Sequence, residues 1–271
     1  MSEEVTIIPI SNTEQLQAAE KAVIDTQIAT AKQYPRDIQR ATNDSIVIAT
    51  MNKETAESCG YALPRGGKPI QGPSVHLARI IAQNWTNLRV EAKVIEITST
   101  QVVCQAVCFD LQTNYAVKVE VRRSIIDRYG KRFKDDMITV TGNAGNAIAY
   151  RNAVFSVIPK SVHESVYQET KNMITGDLSD EAKLIKKRKN ALKTFKDMHG
   201  VTEEQILKAV GVGSVNGINQ DQIILLAGFL QSIKDGDSTV DQIFKREENK
   251  NTPLQKKKDL KDKKPNKVDL P

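Results

Sequence analysis

The chain has 271 residues, of which 39% are hydrophobic and 27% charged, the balance of an ordinary globular protein long enough to fold without disulfides. Its three cysteines, Cys59, Cys104 and Cys108, fit neither a disulfide framework nor the ligand spacing of a zinc site. The start, MSEEVTIIPIS, is not read as a secretory leader, and no run approaches the ~18 apolar residues of a membrane span, so a reducing bacterial cytoplasm is expected. The net charge of +6 is misleading, because Lys245 to Pro271 alone hold ten basic against five acidic residues. A nucleic-acid surface must therefore come from local clustering, not from the overall charge.

In chain order, Ser11 and Glu14 have capping-box spacing and predict a helix to about Tyr34, with Leu16, Ala19, Ala22 and Val23 as an apolar stripe. Pro35 breaks it and starts a second helix through Ile38, Ile46, Val47 and Met51. The stretch ALPRGGKPIQGPS from Ala62 to Ser74 is too rich in breakers for regular structure and is read as a shaped loop. Ser74 then opens a helix carrying Val75, Leu77, Ala78, Ile80 and Ile81 and ending near Trp85.

The period next changes from helix to strand. Leu88, Val90, Ala92 and Val94 alternate with Arg89, Glu91 and Lys93, and Tyr115, Val117, Val119 and Val121 alternate with Lys118, Glu120 and Arg122. Between them Val102 to Phe109 is apolar on both faces, as a central strand would be. Short polar connections predict an antiparallel three-stranded meander. Arms around Tyr129 and Gly130 predict a hairpin, and helical spacing resumes at Asn143, runs to Ile158, breaks at Pro159 and returns from Val162 to Met173.

The segment TGDLSD from Thr175 to Asp180 reads as a linker. Beyond it lie helices over 181–198, 202–210 (with Thr202 and Gln205 as a capping pair) and 221–233, then a turn and a last short helix near Phe244. The expected class is α+β: a core over 1–174, a small helical domain over 179–245, and a basic tail over 246–271 that should be disordered.

Several chemistries lack their motif. Gly66-Gly-Lys-Pro has Pro69 where a phosphate loop needs a hydroxyl, and Gly211-Val-Gly-Ser stands between helices instead of after a strand. His76, His163 and His199 are dispersed. Asp135 and Asp136 are the pair a metal-dependent nuclease would use, but no second acidic motif with a lysine partner accompanies them.

Four features favour nucleic acid, each with a bland counterpart. The segment from Arg122 to Lys134 holds Arg122, Arg123, Arg128, Lys131, Arg132 and Lys134 interleaved with Tyr129 and Phe133. Cations of this kind neutralise phosphates while aromatic faces stack on unpaired bases. A solvated strand end, partly offset by Asp127, Asp135 and Asp136, is the alternative. In the 62–74 loop, Arg65, Lys68 and glycine N–H groups suit an anion, as they equally suit a structural turn. Arg79 and Trp85 follow on the next helix, Trp85 being either core or a stacking platform. The helix with Asn143, Asn146, Arg151, Asn152 and Lys160 has an amide-rich face for phosphates or for another subunit, and the run from Lys183 to Lys193 wraps its helix as a solvated face would.

The order of helices, loop, three-stranded meander, basic hairpin and long packing helix resembles the core of the phage single-strand annealing proteins of the RecT and lambda beta type. The stretch AIAYRNAVFSVIPK from Ala147 to Lys160 is similar to the RecT segment in which an apolar helix with an internal arginine ends in proline. The likeness spans about residues 14 to 245. It implies a cytoplasmic, non-enzymatic protein without cofactor that assembles into rings or filaments, binds single-stranded DNA and anneals it without ATP. It also implies that residues 179–245 contact an exonuclease or a host single-strand binding protein. By layout, Lys118, Arg122, Arg123, Arg128, Lys131, Arg132, Lys134 and Arg151 would line the DNA groove, with Arg65, Lys68 and Arg79 as a second group and Tyr129, Phe133 and Trp85 as stacking residues. The competing expectations are a phage or plasmid adaptor that binds only protein, and a nuclease using Asp135 or Asp136.

Overall fold

The structure is a computed structural model that describes residues 12–65, 69–127, 129–176 and 181–244. Its centre is a three-stranded antiparallel sheet of β3 (Leu88–Ile97), β4 (Gln101–Asp110) and β5 (Tyr115–Ser124) in the order β3-β4-β5. Before it come α1 (Asn12–Gln33), α2 (Ile38–Ala49), α3 (Lys53–Ser58), the strands β1 (Gly60–Leu63) and β2 (Ile70–Pro73), and α4 (Val75–Trp85). After it come α5 (Asp135–Val157), α6 (Lys160–Thr175), α7 (Glu181–His199), α8 (Glu203–Val210), α9 (Gln220–Lys234) and α10 (Val240–Phe244). The class is the α+β expected from the alternating apolar pattern.

The apolar run of β4 is central because β3 and β5 pair with it on either side. Val102, Cys104, Ala106 and Cys108, all 0–1% exposed, point to α5. That helix lies unusually close, since it presents Gly142, Gly145, Ala149 and Ala153 to the sheet. A Cβ at Gly145 would stand 2.5 Å from Cys104 Sγ, and the Cys104 thiol donates to the Gly142 carbonyl at 3.4 Å.

Two readings change. β1 and β2 pair antiparallel from Gly60↔Pro73 to Leu63↔Ile70, so the supposed loop between Ala62 and Ser74 is largely a hairpin. Pro73 is tolerated because it ends β2, an edge strand of a two-stranded ribbon. And α5 begins at Asp135, eight residues before Asn143; Asp135 and Asp136 fill its first turn, where carboxylates favour a helix N-terminus.

Other boundaries follow from local chemistry. The Ser74 hydroxyl accepts from the N–H of His76 and of Leu77 at the head of α4. Asp37, not Pro35, caps α2. Thr202 and Gln205 form the expected capping box, and Asn219 with Gln222 forms a second at α9.

The helices α7 to α10 build a second apolar cluster around Phe195, Phe229 and Phe244, and this cluster also takes in Ala56, Ala62 and Ile174 from the first part of the chain. α9 lies so close to β1 that a Cβ on Gly228 would meet Ala62 and Tyr61 at 2.9–3.0 Å. The Ser232 hydroxyl accepts from the Ala62 N–H at 3.1 Å. The tail over 246–271 lies outside the described residues.

Candidate nucleic-acid interface

In a strand, neighbouring side chains point to opposite faces, and residues paired across strands share one. The register therefore sorts the cations. Arg122 pairs with Val103, Lys118 with Val107 and Lys93 with Gln105, placing all three on the open face, away from α5. Glu91 lies across Val107 from Lys118, and Glu120 lies across Gln105 from Lys93. The middle of the open face is thus a charge-balanced ladder around Gln105 and Val107. At its far corner Arg89 contacts Glu91, Glu20 and Gln27, which holds α1 over this face.

The balance shifts at the end of the sheet where β5 runs out. The segments 125–127 and 129–133 pair as the arms of a hairpin: Asp127 and Lys131 are joined by a backbone bond, and Ile126 bridges Arg132. Asp127 turns its carboxylate inward to accept the N–H groups of Tyr129 and Lys131, so the turn is self-supporting. Arg132 donates to the Thr98 carbonyl at 2.7 Å and the Ser99 carbonyl at 3.3 Å, tying the hairpin to the β3–β4 turn. Arg122, Lys131, Arg132 and Lys134 are all exposed at this end, and Tyr129 is 77% exposed at its tip. Phe133 is half-buried and packs against the core, so its ring helps anchor the hairpin.

Arg123 and Arg151 part company with this group. Arg123 follows Arg122 and so points to the α5 side, where its guanidinium donates to the carbonyls of Gly236 at 2.9 Å and Asp237 at 3.3 Å. Arg151, with a side chain 11% exposed, lies 3.6 Å from the Asp237 carboxylate and 4.3 Å from the centre of the Tyr61 ring. Both arginines hold the turn after α9 instead of lining an open groove. Burial raises the Asp237 carboxyl's pKa, and nearby Arg151 only partly offsets it. Asp235 belongs to the same junction, contacting His76 Nε2 at 3.0 Å and accepting from the Gln231 amide at 2.8 Å.

Trp85 is 3% exposed with the Arg36 guanidinium 4.8 Å from its ring centre, so it is core and not a stacking platform. Arg79 is exposed on α4, 5.9 Å from the Tyr150 ring, and Arg65 is exposed at the end of β1. The two sit on different elements from the sheet-end group. Lys68 and Arg128 lie outside the described residues. Asp135 and Asp136 occupy the first turn of α5, and among the described residues no group of three or more His, Cys, Asp or Glu is gathered as a metal site would need.

Two arginines with defined roles escaped the sequence reading. Arg36 makes two bonds of 2.6 Å to Asp110, clamping the α1–α2 junction to the end of β4. Arg188, inside the lysine run of α7, is buried and donates to the carbonyls of Ile218 and Asn216 and to Glu181. Neither is flagged by neighbouring residue types; both depend on partners distant in sequence. No helix among the described residues is long and apolar enough to cross a membrane. No family model, curated protein or solved structure matches the chain.

Proposed function

We propose that this protein binds single-stranded DNA at the hairpin end of its sheet and, as an assembly of several copies in the bacterial cytoplasm, anneals it to a complementary strand without ATP. The observation that carries the reading is the exposed group Arg122, Lys131, Arg132 and Lys134 around the 77%-exposed Tyr129. Clustered cations neutralise phosphates, and an exposed tyrosine beside them suits contact with an unpaired strand. Annealing needs no nucleophile or acid–base pair, because pairing and stacking of the product supply the driving force.

Assembly is supported by apolar side chains left in the open: Ile38, Val47 and Met51 on and beside α2, Ile95 and Ile97 on the edge strand β3, and Met137 and Val140 on α5 are 42–69% exposed. Repeating a weak site along a strand multiplies its effect through effective concentration.

The test is fluorescence anisotropy of a labelled oligonucleotide across a salt series. The triple variant Arg122→Ala, Lys131→Ala, Lys134→Ala should bind more weakly and show a slope of log K against log salt shallower by about 2, at roughly 0.7 per phosphate contact. An unchanged slope in a folded triple variant removes the sheet end as the site. A second reading, a protein-binding adaptor, draws on the charge-balanced ladder of the open face, and it predicts no oligonucleotide binding even at low salt.

A further inference from the structure

The sheet of β3, β4 and β5 stops at two open edges. β3 and β5 each pair with β4 alone, and among the described residues no other segment bonds to the backbone of either outer edge. An open edge offers a row of N–H and C=O groups to any further strand, and proteins ordinarily deter that with charge. Charge is present on both edges: Glu91, Lys93 and Glu96 of β3 and Lys118, Glu120 and Arg122 of β5 are all exposed.

The signs of these charges follow a rule. Register carries each row of side chains straight across the sheet. Glu91 and Lys118 flank Val107, Lys93 and Glu120 flank Gln105, and Glu96 and Arg122 flank Val103. Three rows hold a charge at both ends, and in all three the signs are opposite. Within one chain the ends of a row are two strand spacings apart, roughly 10 Å, too far for contact. On their own chain Glu91 meets Arg89, and Glu120 accepts from the Gln105 amide at 3.4 Å. Deterrence alone gives no reason for opposite signs at the two ends of a row; joining the two edges does. A strand of another protein need match only one edge, so the match between this chain's own edges selects a second copy as the occupant.

The direction of the join follows from the topology. β3 and β5 are both antiparallel to β4 and so run the same way. When the order β3-β4-β5 repeats without a shift of register, β5 of one copy and β3 of the next meet as parallel neighbours. Glu91 then stands beside Lys118, and Lys93 beside Glu120, across the join. The bulge between Val94 and Glu96 falls past these two rows and before the third.

We propose that copies of this chain assemble by adding β3 of one to β5 of the next, in the register that continues the rows of the sheet. This rests on the reading of the protein as an assembly of copies, and it names a head-to-tail contact between two different surfaces. Every copy then carries its hairpin at the same end of the extended sheet, so the cations at that end form a row.

Light scattering over a concentration series tests it, on full-length variants whose folding is checked by circular dichroism. Lys93→Glu sets two carboxylates side by side at the join, and Glu120→Lys sets two ammonium groups there. Each alone should raise the concentration needed for half-assembly by about fivefold, the scale of reversing one cross-strand charge pair. The two together should return it to near the wild-type value. Folded single variants that assemble as the wild type does overturn the proposal, and so does a folded double variant that stays dissociated. A second measurement mixes Glu91→Cys chains with tagged Lys118→Cys chains under mild oxidation. The native Cys59, Cys104 and Cys108 are buried and do not compete. The mixture should yield a disulfide-linked heterodimer; homodimers in its place would show that like edges meet, and no cross-link in an oligomeric protein would show that these edges do not meet. Either result, in a protein that still anneals DNA, overturns the sheet contact alone. A wild type that is monomeric overturns the contact and removes assembly from the functional reading as well.

Discussion

Arg36 and Asp110 meet through two short bonds with side chains only 5% and 6% exposed, at the point where α1 and α2 join the sheet. Burial alone would raise the Asp110 carboxyl's pKa. The Arg36 guanidinium and the N–H groups of Gln112 and Thr113 outweigh it and hold the pKa below its ordinary value. Removing one partner of such a pair strands the other charge, so Arg36→Ala should cost about 3–5 kcal/mol in urea unfolding. Arg36→Lys should recover only part, since an ammonium cannot fork onto both oxygens. His163 sets a separate dependence on pH. It is 9% exposed and stacked 4.6 Å from Phe155, and burial depresses its pKa below 6.5. The unfolded chain therefore binds a proton at His163 before the folded chain does. Stability from the neutral ring is complete above about pH 6.5 and is lost as the pH falls through the unfolded and then the folded pKa. Unfolding free energies at pH 7.5 and 5.5 should differ less in His163→Gln than in the wild type, and an equal difference would contradict this account.

Among the elements, the contact of α5 with β4 sets how closely helix and sheet approach. Gly145→Ala gains about 1 kcal/mol of helix propensity but drives a methyl to 2.5 Å from Cys104 Sγ. Overpacking of this kind costs about 1–3 kcal/mol, so thermal unfolding should report a net loss of stability. How much of this was legible varies with the element. The meander could be read because its alternation is local and has period two. The head of α5 could not: Ile138, Thr139, Val140 and Thr141 are β-branched, have low helix propensity and hide the helical period. β1 and β2 were masked by the Pro and Gly residues around them, and what fixes β1 is α9, about 165 residues later, through Gly228 and Ser232. For the site, strand parity already implied that Arg122 and Arg123 face opposite ways, a consequence the grouping by charge passed over. That Arg151 and Trp85 are inside depends on Asp237 and Arg36, which no nearby residue announces.

Over the whole molecule, the basic residues divide into those that hold the fold and those left at its surface. Arg36, Arg123, Arg151 and Arg188 are spent on carbonyls and carboxylates within the chain. Arg122, Lys131 and Lys134 are exposed at one end of the sheet. Substitutions in the two groups should therefore fail differently. Arg123→Ala frees the carbonyls of Gly236 and Asp237 and should lower stability by about 1–3 kcal/mol while leaving the salt slope of oligonucleotide binding intact. The most direct test of the central claim is the annealing rate of two complementary labelled oligonucleotides, without ATP or metal, over a salt series. The account predicts acceleration over the spontaneous rate with both strands recovered intact, retained in folded Arg123→Ala and strongly reduced in Arg122→Ala, Lys131→Ala, Lys134→Ala. No acceleration, together with no strand binding at low salt, would contradict it and turn the search to protein partners of the open sheet face.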